Sequence, residues 1–309
     1  MLADQKNRSR IKDRVKQALT SLYQLPLFNS FRRIVTSRNI TILLYHKIKP
    51  DLFESHILYY KKYYNIVSLR DIHYSIMTND FEHLPVHSLA ITFDDGWKSN
   101  YELLHIFRKY ELPVTIFLAT GLVNTNRRLW NDVIESSEII ENNLLKTWSN
   151  SEKDVYLFEN YGFFPEKEYR NRSMLNLEEI GEMKHSVDFQ SHGVFHPVFI
   201  RCSQSELEFE LNTSKEWLEN NLNTDVYGIA YPYGWINSKV VTMTHKAGYS
   251  LGRTANFPCL NSRTENPLKL KCVGIKSHFS LEDIERKIAR AHINTFLLLF
   301  QKYSRRAHT

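Results

Sequence analysis

Along the chain, short runs of branched and apolar residues alternate with longer segments in which apolar positions recur every three or four residues. The first run, Ile40, Thr41, Ile42, Leu43 and Leu44, reads as a buried strand over 39–45, with His46 directly after it. A second strand is expected over 88–93, ending in Asp94, Asp95 and Gly96, then a helix over 101–110 and a third strand over 113–118. A strand, helix, strand order favours parallel pairing through right-handed crossovers. Over 124–173 the pattern loosens into mixed helix and polar loop, with Trp130, Trp148, Tyr161, Phe163 and Phe164, and reads as an insertion. Regular alternation then resumes, with helices expected over 176–184, 203–221, 238–247 and 280–291 and strands over 188–191, 226–230 and 249–254.

None of these strands leads into a glycine-rich phosphate turn, and the chain has no internal repeat. The expected fold class is therefore α/β, a closed or partly closed barrel. In such barrels functional groups gather at the C-terminal ends of the strands. His46, Asp94, Asp95, Ser191, His192 and Tyr231 all fall at or just past such ends, so one mouth could collect them.

At 309 residues the chain is long for one domain but within the range of single α/β barrels. Hydrophobic residues at 42% and charged residues at 24% place it with soluble globular proteins. A net charge of +6 favours acidic partners, yet much of the excess lies at the ends. Lys6, Arg8, Arg10, Lys12, Arg14 and Lys16 open the chain, and Arg305 and Arg306 close it. These basic residues do not alternate with stacking aromatics, so no nucleic-acid partner is expected.

Residues 1–38 are expected to form a basic helical extension and 293–309 an amphipathic C-terminal helix or tail, flanking a barrel over 39–292. Ile11, Val15, Ala18, Leu19 and Leu22 recur at helical spacing beside a basic face, and 293–300 followed by Lys302, Arg305 and Arg306 is alike. Such helices either pack on the domain or rest peripherally on an anionic membrane surface. The first residues are too polar for a signal peptide, and no run approaches the roughly 20 apolar residues of a membrane span. Cys202, Cys259 and Cys272 are widely spaced and odd in number, which fits a reducing compartment and an expected cytoplasmic location.

Two adjacent carboxylates at a strand end cannot both enter an apolar core unpaired; a cation or a proton must relieve them. In an extended segment they point opposite ways, so one could bind a metal while the other faces substrate. An Asp-Asp-Gly turn capping the next helix accounts for the pair equally well. His192 and His196, four apart, would share one face of a helical turn and could reach a single ion. With one carboxylate they make three ligands and leave positions open for water and substrate. Tyr231, Pro232, Tyr233 and Gly234 form a shaped loop able to hold a backbone N–H toward a substrate.

Taken in order, Thr92-Phe93-Asp94-Asp95-Gly96, His192-Gly193-Val194-Phe195-His196 and Tyr231-Pro232-Tyr233-Gly234 resemble the first three motifs of the polysaccharide deacetylase family, the NodB-homology or carbohydrate esterase 4 family. The resemblance runs over about 41–291 and implies a distorted (β/α)7-type barrel. It implies Asp94 as general base, Asp95, His192 and His196 as ligands of a divalent metal, and Tyr233 as backbone donor to an oxyanion. Zinc suits these ligands, with cobalt, nickel and manganese as alternatives. The implied activity is hydrolysis of an N-acyl, chiefly N-acetyl, group on an amino sugar of a polysaccharide, oligosaccharide or lipid-linked glycan.

The sequence departs from the family pattern twice. Gly193 stands where the family commonly has Ser or Thr, so support for that loop must come from elsewhere. The family's late histidine, the acid for the leaving amine, has His278 as its nearest candidate here, with His46 a second. Two other readings use the same residues. One is a metal- and glycan-binding barrel without turnover; the other is a non-haem iron oxygenase, since two histidines and a carboxylate also suit Fe(II).

Overall fold

A computed structural model describes residues 34–134, 139–255 and 258–306. The expected N-terminal extension lies outside the described residues up to residue 33. Eight strands form one parallel sheet in the order β7-β6-β5-β4-β3-β1-β8, with β2 added beside β3. They are β1 (Thr41–Tyr45), β2 (Asn65–Ile66), β3 (Ser88–Phe93), β4 (Val114–Leu118), β5 (Val187–Ser191), β6 (Gly228–Ala230), β7 (Leu251–Arg253) and β8 (Val273–Gly274). β2 pairs the start of β3 while β4 pairs its end, so the central strand is flanked along its length.

The sheet curls. Leu270 donates its N–H to Gly252 and accepts from Thr254 beside β7, and five residues later Ile275 donates to Leu44 of β1. The segment 270–275 thus runs from one edge of the sheet to the other side of β1. The alternating pattern predicts such a partly closed barrel and the family resemblance its distorted (β/α) form, with every strand C-terminus on one rim.

The period-two alternation of β1 sorts its side chains into two layers. Leu43 and Tyr45 face outward, where they pack with Phe53, Ile57 and Tyr60 of α1 (Pro50–Tyr63) and with Phe93. Ile42 and Leu44 face inward with Ala90, Phe117, Ala230 and Leu251. Leu69 and Ile72 of α2 (Leu69–Thr78) join this inner layer. The sequence pattern assigns no element to 46–87, yet both helices and β2 lie there. The buried stripe of α1 is Phe53, His56, Ile57 and Tyr60, in which tyrosine and histidine dilute the apolar signal. Its polar tips are satisfied inside: the Tyr45 and Tyr60 hydroxyls hydrogen-bond at 2.6 Å, and His56 Nδ1 lies 3.1 Å from Tyr45 Oη.

The helix expected over 101–110 begins instead as a 3-10 turn at Lys98–Leu103 and becomes α-helical only in α3 (Leu104–Lys109). The insertion holds α4 (Ile139–Leu145) and α5 (Asn150–Tyr161). A reciprocal Ser149–Glu152 cap starts α5, and Gly162, at φ 58°, stops it. Trp130, Ile134, Leu145, Leu157 and Phe163 give the insertion its own apolar cluster, and Tyr233 of the barrel packs against it. Then follow α6 (Leu177–Met183), α7 (Gln204–Leu222), α8 (Ser238–Lys246) and α9 (Leu281–Arg306). α9 continues past Ala291 without a break, where the sequence pattern ends one helix and begins a separate amphipathic helix or tail.

Phe53 is fully buried and meets Tyr45, Phe93 and Phe107 edge-on at ring-centroid distances of 5.6, 5.6 and 5.8 Å. Truncating it empties the space behind the strand that ends in Asp94. Phe53→Ala is expected to lower the unfolding free energy by about 3–5 kcal/mol, read from the urea midpoint.

Candidate active site

The rim of the barrel gathers groups from five strand ends. Asp94 and Asp95 follow β3, His192 and His196 follow β5, Tyr233 follows β6, Arg253 closes β7 and His46 follows β1. Asp94, Asp95, His192, His196 and Arg253 are all buried.

The carboxylate pair is turned by its backbone. Asp95 has φ 72° and Gly96 φ 81°, left-handed conformations that aspartate tolerates and glycine favours. A side chain at 96 would also strike Leu118 Cδ2, 2.4 Å from an ideal Cβ. The two carboxylates consequently share one cluster, rather than facing opposite ways as extended backbone would have them. Asp94 Oδ1 accepts from the Arg253 guanidinium, while Oδ2 lies 3.7 Å from His192 Nε2. Asp95 Oδ2 accepts the Trp97 indole N–H at 2.8 Å, with His46 Nε2 at 3.9 Å. Asp95 Oδ1 lies 3.4 Å from His192 Nε2 and 3.5 Å from His196 Nε2 and has no hydrogen-bond partner.

His192 and His196 do not share a helical turn. They stand on an irregular loop bent by Gly193 at φ 80° and His196 at φ 59°, and the bends bring their rings to 4.6 Å. His192 Nδ1 lies 2.7 Å from the Ala230 carbonyl. A proton on Nδ1 would make that bond and leave Nε2 bare toward Asp95.

The support that Gly193 lacks comes from Glu210 on α7. Its buried carboxylate accepts from Val194 N–H at 2.6 Å and Phe195 N–H at 3.2 Å. An ideal Cβ at 193 would sit 2.7 Å from Glu210 Oε2, so glycine leaves room for that acid. Ser191 Oγ accepts from Gly193 N–H, and the N–H groups of Thr120 and Gly121 reach the Gly193 and Val194 carbonyls.

Burial by itself would raise the Asp95 carboxyl, but the imidazoles of His192, His46 and His196 hold it well below the usual carboxylate range. His196 moves the other way, pushed down to about 3 by burial and by the neighbouring His192. His192 is raised: burial opposes its charge, and Asp94 and Asp95 outweigh burial. Burial lifts the Glu210 carboxyl to about 7 against its two N–H bonds.

One oxygen of Asp95 and one ring nitrogen from each histidine lie mutually within 4.8 Å, a donor set that fits a divalent cation. The orphaned Asp95 Oδ1 is the atom such an ion would satisfy. Tyr233 lies beside this set, its ring 4.7 Å from that of His196 and its φ at 58°. Gly234 makes its conformation attainable, because a Cβ there would lie 2.1 Å from Ala255 N. His278 is outside the cluster, exposed on the loop after β8.

Three supporting residues escape the motif reading. Arg253 carried a signal as a lone cation at the end of an apolar strand; Trp97 adjoins the carboxylate motif. Glu210 carried none, being one acid among many on α7.

A family model described as polysaccharide deacetylase matches residues 82–252. A Staphylococcus aureus poly-beta-1,6-N-acetyl-D-glucosamine N-deacetylase is 25% identical over 209 residues, 67% of this chain and 60% of that protein's length. This chain therefore spans less than two thirds of that relative. In fold, it is similar to Streptococcus pyogenes deacetylase PplD at a TM-score of 0.59 and 22% identity, covering 81% of this chain and 98% of the other. It is likewise similar to IcaB from Ammonifex degensii, at a TM-score of 0.58 and 18% identity over 82% and 98% of the two chains.

Removing the Glu210 carboxylate strands two buried N–H groups beside the histidines, at about 1–3 kcal/mol each. Glu210→Ala is expected to lower the melting temperature and weaken divalent-metal binding, both measured by calorimetry. Glu210→Gln, which keeps one acceptor, should fall between Ala and wild type.

Proposed function

Because the chain belongs to the polysaccharide deacetylase family, we propose that it removes the acetyl group from an N-acetylated amino sugar, with a divalent metal held by Asp95, His192 and His196. The observation that carries this reading is the unpartnered Asp95 oxygen between two imidazole nitrogens, with a second carboxylate fixed next to it. Zinc fits two imidazoles and a carboxylate, with cobalt, nickel and manganese chemically close.

When bound, the ion polarises the amide carbonyl and lowers the pKa of its water to about 7. Asp94 serves as the general base that takes the water's proton. The charge-assisted bond from Arg253 fixes one of its oxygens and leaves the other, on the His192 side, to work. The backbone N–H of Tyr233 shares the developing oxyanion charge. His46 suits the proton donor to the leaving amine better than His278, because it stands 3.9 Å from Asp95 and is 53% exposed at the mouth. Asn100 holds its backbone, donating to the His46 carbonyl at 2.8 Å.

A relative named for deacetylating poly-beta-1,6-N-acetyl-D-glucosamine supports the choice of an N-acetylglucosamine glycan. No helix among the described residues is long and apolar enough to cross a membrane. The three cysteines are buried and none forms a disulfide, which supports work in a reducing compartment, the cytoplasm, on a glycan precursor.

Asp94→Asn should lower kcat for acetate release from N-acetylglucosamine oligomers by about 10²–10⁴ while keeping the metal. His196→Ala should lose metal and activity together, measured by elemental analysis and acetate assay. Equal acetate release by wild type and both variants would refute the assignment.

Metal loading should also depend on pH in a stated direction. His192 holds its proton above the ordinary histidine range, and a metal must displace that proton. Affinity measured by chelator competition should therefore fall as pH drops from 8 to 6, by about tenfold per proton displaced per pH unit.

A further inference from the structure

Beside the Asp95, His192 and His196 cluster the rim opens into a cleft of about 480 Å³, between the ends of β1 and β8 and the first turns of α9. Its polar lining is His46, Lys47, Lys276, Ser277, His278 and Lys287. Among the described residues no carboxylate lines it, and Lys47, Lys276 and Lys287 join no ion pair there, unlike Lys109, Lys215 and Lys271. Lys47 rests over the Trp97 ring at 3.2 Å and faces Asp132 of the insertion, so its charge is partly met. Among the described residues neither Lys276 nor Lys287 has such a partner. Lys287 is half-buried, and burial together with Arg290 and Lys276 depresses its proton affinity below that of an ordinary lysine.

Lys47 and Lys276 are exposed and Lys287 half-buried, and three ammonium groups around one open cleft set up a positive potential that favours an entering anion. One end of the cleft is His46, within 3.9 Å of Asp95, so a group seated there would belong to the molecule being cleaved. We propose that this cleft binds a phosphate group carried by the substrate, so that the acetylated sugar is presented as a phosphate ester or diphosphate rather than as part of a neutral polymer. This rests on the deacetylase reading above. Lysines suit such an anion as mobile point charges, and Ser277 adds a neutral donor.

The test uses the full-length chain and three probes: N-acetylglucosamine, its 1-phosphate, and the same sugar joined by diphosphate to a short polyprenyl chain. Equilibrium binding at low salt should favour both phosphorylated probes over the neutral sugar by about tenfold, and the preference should shrink at about 0.5 M salt. The double variant Lys276→Gln/Lys287→Gln should bring the ratio of phosphorylated to neutral affinity near one, whereas Lys246→Gln, on α8, should leave that ratio at its wild-type value. Equal wild-type affinity for charged and neutral sugars would overturn the proposal, as would a preference that survives the double variant. A gain confined to the polyprenyl probe would also overturn it, because the chain and not the charge would then be recognised. Acetate release is followed in parallel: its absence from every probe would defeat the deacetylase reading, while the binding ratios still judge the cleft.

Discussion

The structure is organised around one electrostatic constraint, the burial of two consecutive carboxylates at the end of the central strand. Neither Asp94 nor Asp95 could persist there alone, since an uncompensated charge away from water costs several kcal/mol. Their partners come from elsewhere in the chain: Arg253 from β7, the two imidazoles from the loop after β5, and an indole N–H from Trp97. A flat sheet would hold those strand ends far apart. Curling it, with 270–275 carrying the pairing around from β7 to β1, brings them onto one rim. Fold and charge compensation are thus one problem with one solution.

The loops of the site share a backbone habit. Asp95 with Gly96, Gly193 with His196, and Tyr233 with Gly234 all take positive φ. For aspartate, histidine and tyrosine that costs free energy, which the surroundings must offset. Here the offsets can be named. Glu210, Thr120 and Gly121 stitch the histidine loop, and Ala255 leaves room beside residue 234 only for a hydrogen.

Much of this architecture is legible in the residues themselves. Strands whose two faces are both buried read as plain apolar runs, and the polar residues that punctuate them mark the rim; Asp94, Asp95, His192 and His196 stand out for that reason. The family resemblance adds Tyr233. What stays hidden has physical causes. α1 buries tyrosines and a histidine whose polar tips pair inside the core, so its stripe does not look apolar. Glu210 is written like a solvent-facing acid, and only the fold shows that its carboxylate ends beneath two peptide groups. The geometry of 192–196 also escapes a spacing argument: an i, i+4 pair suggests a helix, and two left-handed bends reach the same convergence by another path.

The insertion enters and leaves the barrel at adjoining points. Asn124 donates to the Leu175 carbonyl at 3.0 Å, so the roughly fifty residues of 124–173 hang from a single stitched neck. Because the neck is closed by its own hydrogen bonds, lengthening or trimming what hangs from it adds a closure cost that grows only logarithmically. The insertion is therefore free to change in length while the carboxylates and imidazoles on the rim keep their registration.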